Sequence, residues 1–352
     1  MDNKLIRVAI THGDTNGVGY ELIFKTFEAQ EMLELCTPVI YGSPKAATFH
    51  RNALQMQVPF TNIGNAQDAK EGRLNMLVTF PQEVKVEFGK PTEESDAAAL
   101  KALIKAKDDY QKKAFDVLVT APTVEKHFTA PLPMLVNDRL RVAMATSGLP
   151  IKDVPQAITQ ELLVEKASLL HQTLRRDFRI SNPRIAILAL NPQPGDEETQ
   201  LIKPVIEKLQ EDKIQIFGPY PANTFFGEGM FEAFDGVLAL YDEQAMTPFK
   251  TLDLGEGVCY AAGQDIIQTA PLNDAGFSIA GKGIADENSM RHAIYLAIDI
   301  CRNRANYDEP LKNPLKKLYH EKRDESEKVR FNIPKAKEPT EQKDEKKAEQ
   351  KD

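Results

Sequence analysis

Short apolar runs alternate along the chain with longer stretches in which apolar residues recur at helical spacing. This alternation is typical of α/β proteins, whose parallel strands are buried on both faces and connected by helices. Each run ends in polar or turn residues, and α/β proteins build ligand sites at such strand ends. We therefore predict an α/β fold with parallel or mixed sheets flanked by helices. The runs predict strands at residues 6–10, 39–41, 117–120, 141–146, 185–190 and 237–240.

The clearest helix is predicted over residues 159–178, with Thr159 as its N-cap. Similar apolar stripes predict helices at about 201–209 and 290–301. A stripe on one helical face is typical of core packing rather than of a ligand site. In the first helix the stripe consists of Leu163, Ala167, Leu170 and Leu174.

Charge and cysteine content exclude several functional classes. The chain of 352 residues has 44 Lys and Arg against 52 Asp and Glu, a net charge of −8. A nucleic-acid partner is therefore not expected, because phosphate binding needs a basic surface. No apolar run approaches the roughly 20 residues that cross a membrane, so no membrane partner is expected either. The 3 cysteines are isolated from one another, which favours a reducing compartment, the cytoplasm.

The composition changes near the C-terminus. After about Ile333 the chain consists almost entirely of charged residues, Gln and Pro. Such a segment cannot bury enough apolar surface to offset its ordering entropy. We predict a folded body over residues 1–320 and a charged, disordered tail over residues 321–352.

Several short motifs lie in a fixed order along the body. The first predicted strand runs into a glycine-rich turn with the sequence THGDTNGVGYE at residues 11–21. Glycines between a strand and a helix let backbone N–H groups approach an anion, but they also serve simple tight turns, and the spacing alone does not decide. The motifs that follow are VTAP (119–122), RVAMAT (141–146), LNP (190–192), GPYPA (218–222) and AGKG (280–283).

This ordered set resembles the 4-hydroxythreonine-4-phosphate dehydrogenase (PdxA) family over roughly residues 6–304. The resemblance implies a two-domain α/β fold related to isocitrate and isopropylmalate dehydrogenases, with two intertwined subdomains inside residues 1–320. It also implies a homodimer with active sites near the interface. The implied reaction is the NAD-dependent oxidation of 4-phosphohydroxy-L-threonine in pyridoxal 5'-phosphate biosynthesis. In the family, three histidines hold a divalent metal that polarises the substrate hydroxyl.

The three histidine positions are occupied here by Gly148, Gln193 and Asp242. A catalytic metal commonly has about three protein ligands and an open position. Only one of these three side chains is a strong ligand, so we expect no divalent metal at this place. Losing a Lewis acid costs several kcal/mol of transition-state stabilisation, or on the order of 10³-fold in rate.

Substrate positions implied by the resemblance have changed as well. Lys250 matches a family lysine, whereas Cys259 and Gln268 stand where the family has asparagine and arginine. A neutral amide cannot replace the cationic fork that binds phosphate. The connection between Lys126 and Met134 is also shorter than in the family, which removes further substrate contacts.

Two functional hypotheses follow. The first is a divergent PdxA-family member that has lost the oxidation and acts as a non-catalytic or regulatory paralogue, as a homodimer or as a hetero-dimer with an intact paralogue. The second is an active NAD-dependent dehydrogenase on the family substrate or on a different, possibly phosphorylated, one. For the second hypothesis the catalytic candidates are His12 as general base, Asp14 beside it, and Lys250.

The sequence leaves open two other ways in which the chain could bind a metal. Asp196, Asp242, Glu243 and Asp274 lie in segments expected to converge, and such oxygen ligands suit Mg²⁺ or Ca²⁺. A different alignment around the shortened connection could also assemble a site from other residues, although the 6 histidines are scattered along the chain.

Overall fold

The computed structural model describes residues 5–80, 84–123 and 129–313. Within this part, one mixed sheet of 12 strands runs in the order β3-β4-β2-β1-β5-β12-β11-β6-β7-β10-β8-β9. The α/β prediction is confirmed. The strands are β1 (Ile6–Thr11), β2 (Cys36–Gly42), β3 (Thr61–Ile63), β4 (Asn75–Val78), β5 (Val117–Thr120), β6 (Leu132–Val136), β7 (Arg141–Met144), β8 (Arg184–Leu188), β9 (Gln215–Tyr220), β10 (Gly236–Ala239), β11 (Val258–Ala262) and β12 (Gln268–Pro271).

Helices cover both faces of this sheet. Their clearest representative confirms the sequence prediction, because α6 begins after Thr159, whose side chain accepts a hydrogen bond from the N–H of Leu162 at 3.2 Å. The helices are α1 (Gly19–Glu28), α2 (Glu31–Leu35), α3 (Pro44–Ala53), α4 (Glu93–Gln111), α5 (Val154–Ala157), α6 (Gln160–Arg176), α7 (Lys203–Glu211), α8 (Ala222–Gly227), α9 (Asp242–Leu252) and α10 (Asn288–Lys312).

Strand direction divides the sheet into two parallel blocks. The first block, β3-β4-β2-β1-β5-β12, is parallel throughout, and so is the second, β7-β10-β8-β9. Between them, β11 and β6 make three successive antiparallel pairings. Three reversals leave the second block running opposite to the first. The carboxyl ends of the two blocks therefore point to opposite edges of the sheet.

The apolar stripes pack as the sequence predicts. All four stripe residues of α6 have no exposed surface, and most of the stripe residues predicted for the other two helices are buried too, except Leu201 and Cys301, which are half-buried. The six predicted strands are present, with ends that differ by up to three residues. Six further strands are not among those predicted from the sequence: β3, β4, β6, β9, β11 and β12.

The compact unit that carries the sheet extends from Met1 to Leu311. No described helix is long and apolar enough to cross a membrane. The 3 cysteines all lie in the described residues, and none forms a disulfide there. The predicted tail at residues 321–352, and the predicted boundary before it, lie outside the described residues.

Candidate functional site

Three neighbouring strands of the second block lead to the positions where the family has its histidines. Gly148 follows β7, Asp242 begins α9 just after β10, and Gln193 follows β8. These strands are adjacent in the order β7-β10-β8 and run parallel. Because parallel strands end at the same edge, the structure brings the three positions to one edge of the sheet. We call this set the family metal positions.

Two of the family metal positions touch each other directly. The backbone N–H of Gly148 donates to Oδ2 of Asp242 at 2.6 Å. The hydrogen bonds between β7 and β10 continue beyond the strands towards this contact. The hydroxyl and the N–H of Thr146 both donate to the Leu240 carbonyl, at 2.7 and 3.1 Å. Asp242 lies in the first turn of α9, where the helix dipole favours a negative charge. One oxygen of its carboxylate is therefore engaged by the Gly148 backbone.

The loop after β8 is organised by a different carboxylate. Glu198 is fully buried, and it accepts hydrogen bonds from the backbone N–H groups of Asn191 and Gly195 at 2.8 and 2.7 Å. Burial alone would raise the pKa of Glu198, but these N–H donors and the Asn191 side chain outweigh it and lower the pKa. Gln193, at the tip of this loop, is exposed. Glu198 therefore fixes the loop from its buried side, whereas Gln193, the family metal position of this loop, is exposed to solvent.

The acidic residues considered for an all-oxygen cation site do not converge. Asp196 and Glu243 are exposed near the family metal positions. Asp274 follows β12 in the first block, and its Oδ1 accepts the N–H of Gly276 at 2.8 Å. The described residues contain no group of three or more His, Cys, Asp or Glu placed to hold a metal. The opposite direction of the two blocks is the physical reason that Asp274 is separated from the others.

The predicted substrate positions lie on neighbouring elements. Cys259 pairs with Ala270 across β11 and β12, and Gln268 stands two residues before Ala270. Residues two apart on a strand share a face, so Cys259 and Gln268 are diagonal neighbours. Gln268 is fully buried, and neither its amide nitrogen nor its amide oxygen has a partner among the described residues. Lys250, in the last turn of α9, is exposed.

The glycine-rich turn at residues 11–19, here called the N-terminal turn, is buried from end to end. A Cβ at Gly17 would lie 2.3 Å from the carbonyl oxygen of Ala275, and one at Gly19 would lie 2.1 Å from that of His12. The glycines are thus needed because other backbone segments approach them closely. Of the two sequence interpretations, the structure favours a tightly packed turn over an open anion site.

Asp14 acts inside this turn as a hydrogen-bond acceptor. Its Oδ1 accepts the N–H of Asn16 at 2.8 Å, and its Oδ2 accepts the hydroxyl of Ser95 at 3.0 Å. Burial raises its pKa, and these two hydrogen bonds oppose the rise. Ser95 also belongs to the capping box of α4 with Thr92. Asp14 therefore ties the N-terminal turn to the start of α4.

His12 lies in an aromatic cluster. Its ring stacks on Tyr20, with centroids 5.3 Å apart and planes 2° from parallel, and Phe80 meets it edge-on at 5.7 Å. Burial, together with nearby His50, lowers the pKa of His12 to about 3. Neither ring nitrogen has a hydrogen-bond partner among the described residues, and the side chain has no exposed surface. His12 is therefore neutral, as a general base must be, but its ring is fully buried and a substrate cannot reach it.

Comparison with known proteins agrees with these motifs. The model of the family described as pyridoxal phosphate biosynthetic protein PdxA matches residues 34–130 and 123–297. The chain belongs to the PdxA family. A 4-hydroxythreonine-4-phosphate dehydrogenase from Bacteroides thetaiotaomicron is 43% identical over 359 residues, which cover 94% of this chain and 98% of the relative.

More distant PdxA-family relatives extend the match in sequence and structure. A 4-hydroxythreonine-4-phosphate dehydrogenase from Sulfurihydrogenibium sp. is 30% identical, covering 85% of this chain and 100% of the relative. The crystal structure of a 4-hydroxythreonine-4-phosphate dehydrogenase from Burkholderia phymatum is 27% identical, with a TM-score of 0.67. It covers 85% of this chain and 99% of that chain. The likeness therefore extends through both blocks of the sheet.

The donor set of this PdxA-family chain does not fit the metal that the resemblance implies. Gly148 has no side chain, Gln193 offers a weak neutral oxygen, and only Asp242 supplies a strong ligand. About three strong ligands are needed. We therefore derive no chemical step through a metal for this chain.

Glu198 is the site residue that sequence reasoning missed. A local signal was present, because an Asn-Pro turn at residues 191–192 is followed within seven residues by paired glutamates. An acidic side chain there can accept free N–H groups of a loop, as N-cap residues do. Residues 124–128, which include Lys126 at the start of the shortened connection, lie outside the described residues.

Proposed function

We propose that this PdxA-family chain has lost the family oxidation and serves as a non-catalytic binding or regulatory paralogue. The observation that carries the proposal is the donor set at the family metal positions, which consists of a glycine, an exposed neutral amide and a single carboxylate, Asp242. Without a Lewis acid the substrate hydroxyl is not polarised, and the rate falls on the order of 10³-fold.

The environment of Gln268 supports the same conclusion. The resemblance assigns this position to an arginine that contacts substrate phosphate. Here a neutral amide is fully buried beside the half-buried Cys259. Arg binds phosphate through a charged, two-pronged fork, and a neutral amide supplies no charge. A phosphorylated substrate would therefore be bound more weakly than in an intact relative.

A second candidate is an active NAD-dependent dehydrogenase, on 4-phosphohydroxy-L-threonine or on a different substrate. It is favoured by the 43% identity to a 4-hydroxythreonine-4-phosphate dehydrogenase along almost the whole chain. The AGKG loop at residues 280–283 is also held in place, since Lys25 donates to the carbonyl oxygens of Gly283 and Ala285 at 3.0 and 2.6 Å. NAD binding without turnover remains compatible with the first candidate.

The decisive experiment measures NADH formation from 4-phosphohydroxy-L-threonine and NAD, with Zn²⁺, Mg²⁺ or Mn²⁺ added in turn. The Bacteroides thetaiotaomicron relative, assayed in parallel, is the control. We expect a rate at least about 10³-fold below the control. A rate within about tenfold of the control would overturn the first candidate. NAD binding, measured separately by calorimetry, distinguishes an empty scaffold from a nucleotide-binding one.

The proposed partner is a second copy of the chain or an intact paralogue, and the proposed compartment is the cytoplasm. A hetero-dimer could keep activity in the partner's half if sites form near the interface, as the family resemblance implies. Co-expression of this chain with an intact family member from the same cell tests the idea. Co-purification at equal stoichiometry supports the hetero-dimer, whereas a homodimer alone in the presence of the paralogue contradicts it.

A further inference from the structure

A metal at the family metal positions would connect chain segments as well as take part in catalysis. A bound metal would link the loop after β7, the loop after β8 and the start of α9. In this chain the first and third of these segments are linked directly, by the 2.6 Å hydrogen bond from Gly148 N–H to Asp242 Oδ2. A carboxylate acceptor makes this bond charge-assisted, and such bonds are roughly twice as strong as neutral ones.

The remaining link, between β10 and β8, is also made by side chains. Gln244 in α9 is buried and uses both ends of its amide. Its oxygen accepts the N–H of Leu240 at 3.0 Å, and its nitrogen donates to the carbonyl of Ala189 at 2.7 Å. The three strand ends are thus joined by hydrogen bonds that need no ion.

We propose that the Asp242 carboxylate and the Gly148 N–H form a metal-free clasp, which takes over the structural task that a divalent metal performs between the family metal positions. The inference deepens the proposed function and rests on it for the assignment of these positions. It does not depend on whether turnover is lost. It predicts a chain whose stability is independent of metal and sensitive to Asp242.

The conformation of Gly148 shows what limits metal binding. Its φ of +70° lies in the left-handed region, and a Cβ built there would have no heavy atom within 4 Å. Histidine is among the residues enriched in this region. The position therefore has space for a histidine, but any side chain there carries the strain of a left-handed φ. Metal binding should be recoverable by substitution.

The first test is thermal unfolding of the whole chain with EDTA, Zn²⁺ or Mg²⁺, together with the variants Asp242→Ala and Glu243→Ala. We expect no shift of the wild-type midpoint with any addition. Asp242→Ala should lower the midpoint by about 1–2 °C, because it removes one charge-assisted but solvent-exposed hydrogen bond. Glu243→Ala removes an exposed carboxylate from the same helical turn and should change the midpoint by less than about 1 °C.

In the second test the triple variant G148H/Q193H/D242H is titrated with Zn²⁺. Binding is measured by calorimetry and by the midpoint of thermal unfolding. We expect the variant to bind one Zn²⁺ per chain and to gain stability from it, while the wild type does neither. The double variant G148H/Q193H, which keeps Asp242, is the control for partial restoration. If the triple variant fails to fold, the wild-type titration and Asp242→Ala still decide the matter.

Three outcomes would overturn the clasp: a rise in the wild-type midpoint with Zn²⁺ or Mg²⁺, a fall with EDTA, or an Asp242→Ala midpoint equal to that of Glu243→Ala. These outcomes are distinct from failure of the proposed function. Turnover by the wild type without a metal effect on stability would remove the proposed loss of activity and leave the clasp intact.

Discussion

The N-terminal turn and the family metal positions both follow the carboxyl ends of parallel strands, yet solvent reaches them very differently. Every residue of the N-terminal turn is buried, and its glycines lie against backbone carbonyls. At the family metal positions, Gly148 and Gln193 are exposed, and a side chain at Gly148 would meet open space. A change in the turn therefore has to be accommodated by the core, whereas a change at the metal positions does not.

This difference shows how a chain can keep a family fold while its site chemistry changes. In the N-terminal turn, the same residues that form the recognisable motif are the ones that pack the interior. At the family metal positions, the residues that would carry the chemistry contribute little packing, and Glu198 and Gln244 hold the strand ends from beneath. Two of the three family metal positions, Gly148 and Gln193, are thus free to change side chain without loss of the contacts that hold the strand ends.

The largest effect should come from adding one methyl group to the N-terminal turn. Gly19→Ala places a Cβ 2.1 Å from the carbonyl oxygen of His12, where only the backbone can move. We expect a loss of about 3 kcal/mol or more in the free energy of unfolding, or failure to fold. Urea unfolding measures the effect. Gly227→Ala is the control, because no atom lies within 4 Å of a Cβ there, and its stability should change by less than about 1 kcal/mol.

An acid-dependent loss of stability should come from the same region. His12 and His50 have pKa values lowered to about 3 and about 4 from an ordinary value of 6.5. Between those values the unfolded chain binds protons that the folded chain excludes, so stability falls as the pH falls. For His12, linkage gives a loss of about 2 kcal/mol between pH 7 and pH 5.

The variant His12→Phe isolates this contribution. Phe keeps the stacking on Tyr20 and gives up no hydrogen bond, because neither nitrogen of His12 has a partner among the described residues. Urea unfolding at pH 7 and pH 5 should show about 2 kcal/mol less acid destabilisation than in the wild type. Phe80→Leu alters the same cluster without removing a titrating group and should keep the wild-type difference. An unchanged pH dependence in His12→Phe would contradict the assigned role.

The smallest effect is expected beneath the family metal positions. Glu198→Ala removes the acceptor of the N–H groups of Asn191 and Gly195, but water can reach this loop and partly replace it. We expect a loss of about 1–2 kcal/mol in the free energy of unfolding. Glu197→Ala removes an exposed acceptor of the Asn191 side-chain amide and leaves the backbone N–H bonds of the loop in place, so it should cost less than about 0.5 kcal/mol. Equal losses for the two variants would show that Glu198 does not organise the loop.

The sequence by itself determined the fold class, six of the strands and the helix α6 with its Thr159 cap. These features depend on local periodicity and local hydrogen bonds, which neighbouring residues specify. It also determined the chemical identity of the residues at the family metal positions, since Gly148 has no side chain in any fold.

Only the tertiary structure decided how the ends of the strands are arranged. An apolar run carries no information on strand direction, so the reversal made by β6 and β11 could not be seen in advance. That reversal separates Asp274 and the N-terminal turn from Asp242. The side chains that bury His12 likewise come from segments far apart in sequence, and so do the two partners of the contact between Gly148 and Asp242. Such contacts arise from packing of the whole sheet, because their partners meet only after the chain has folded.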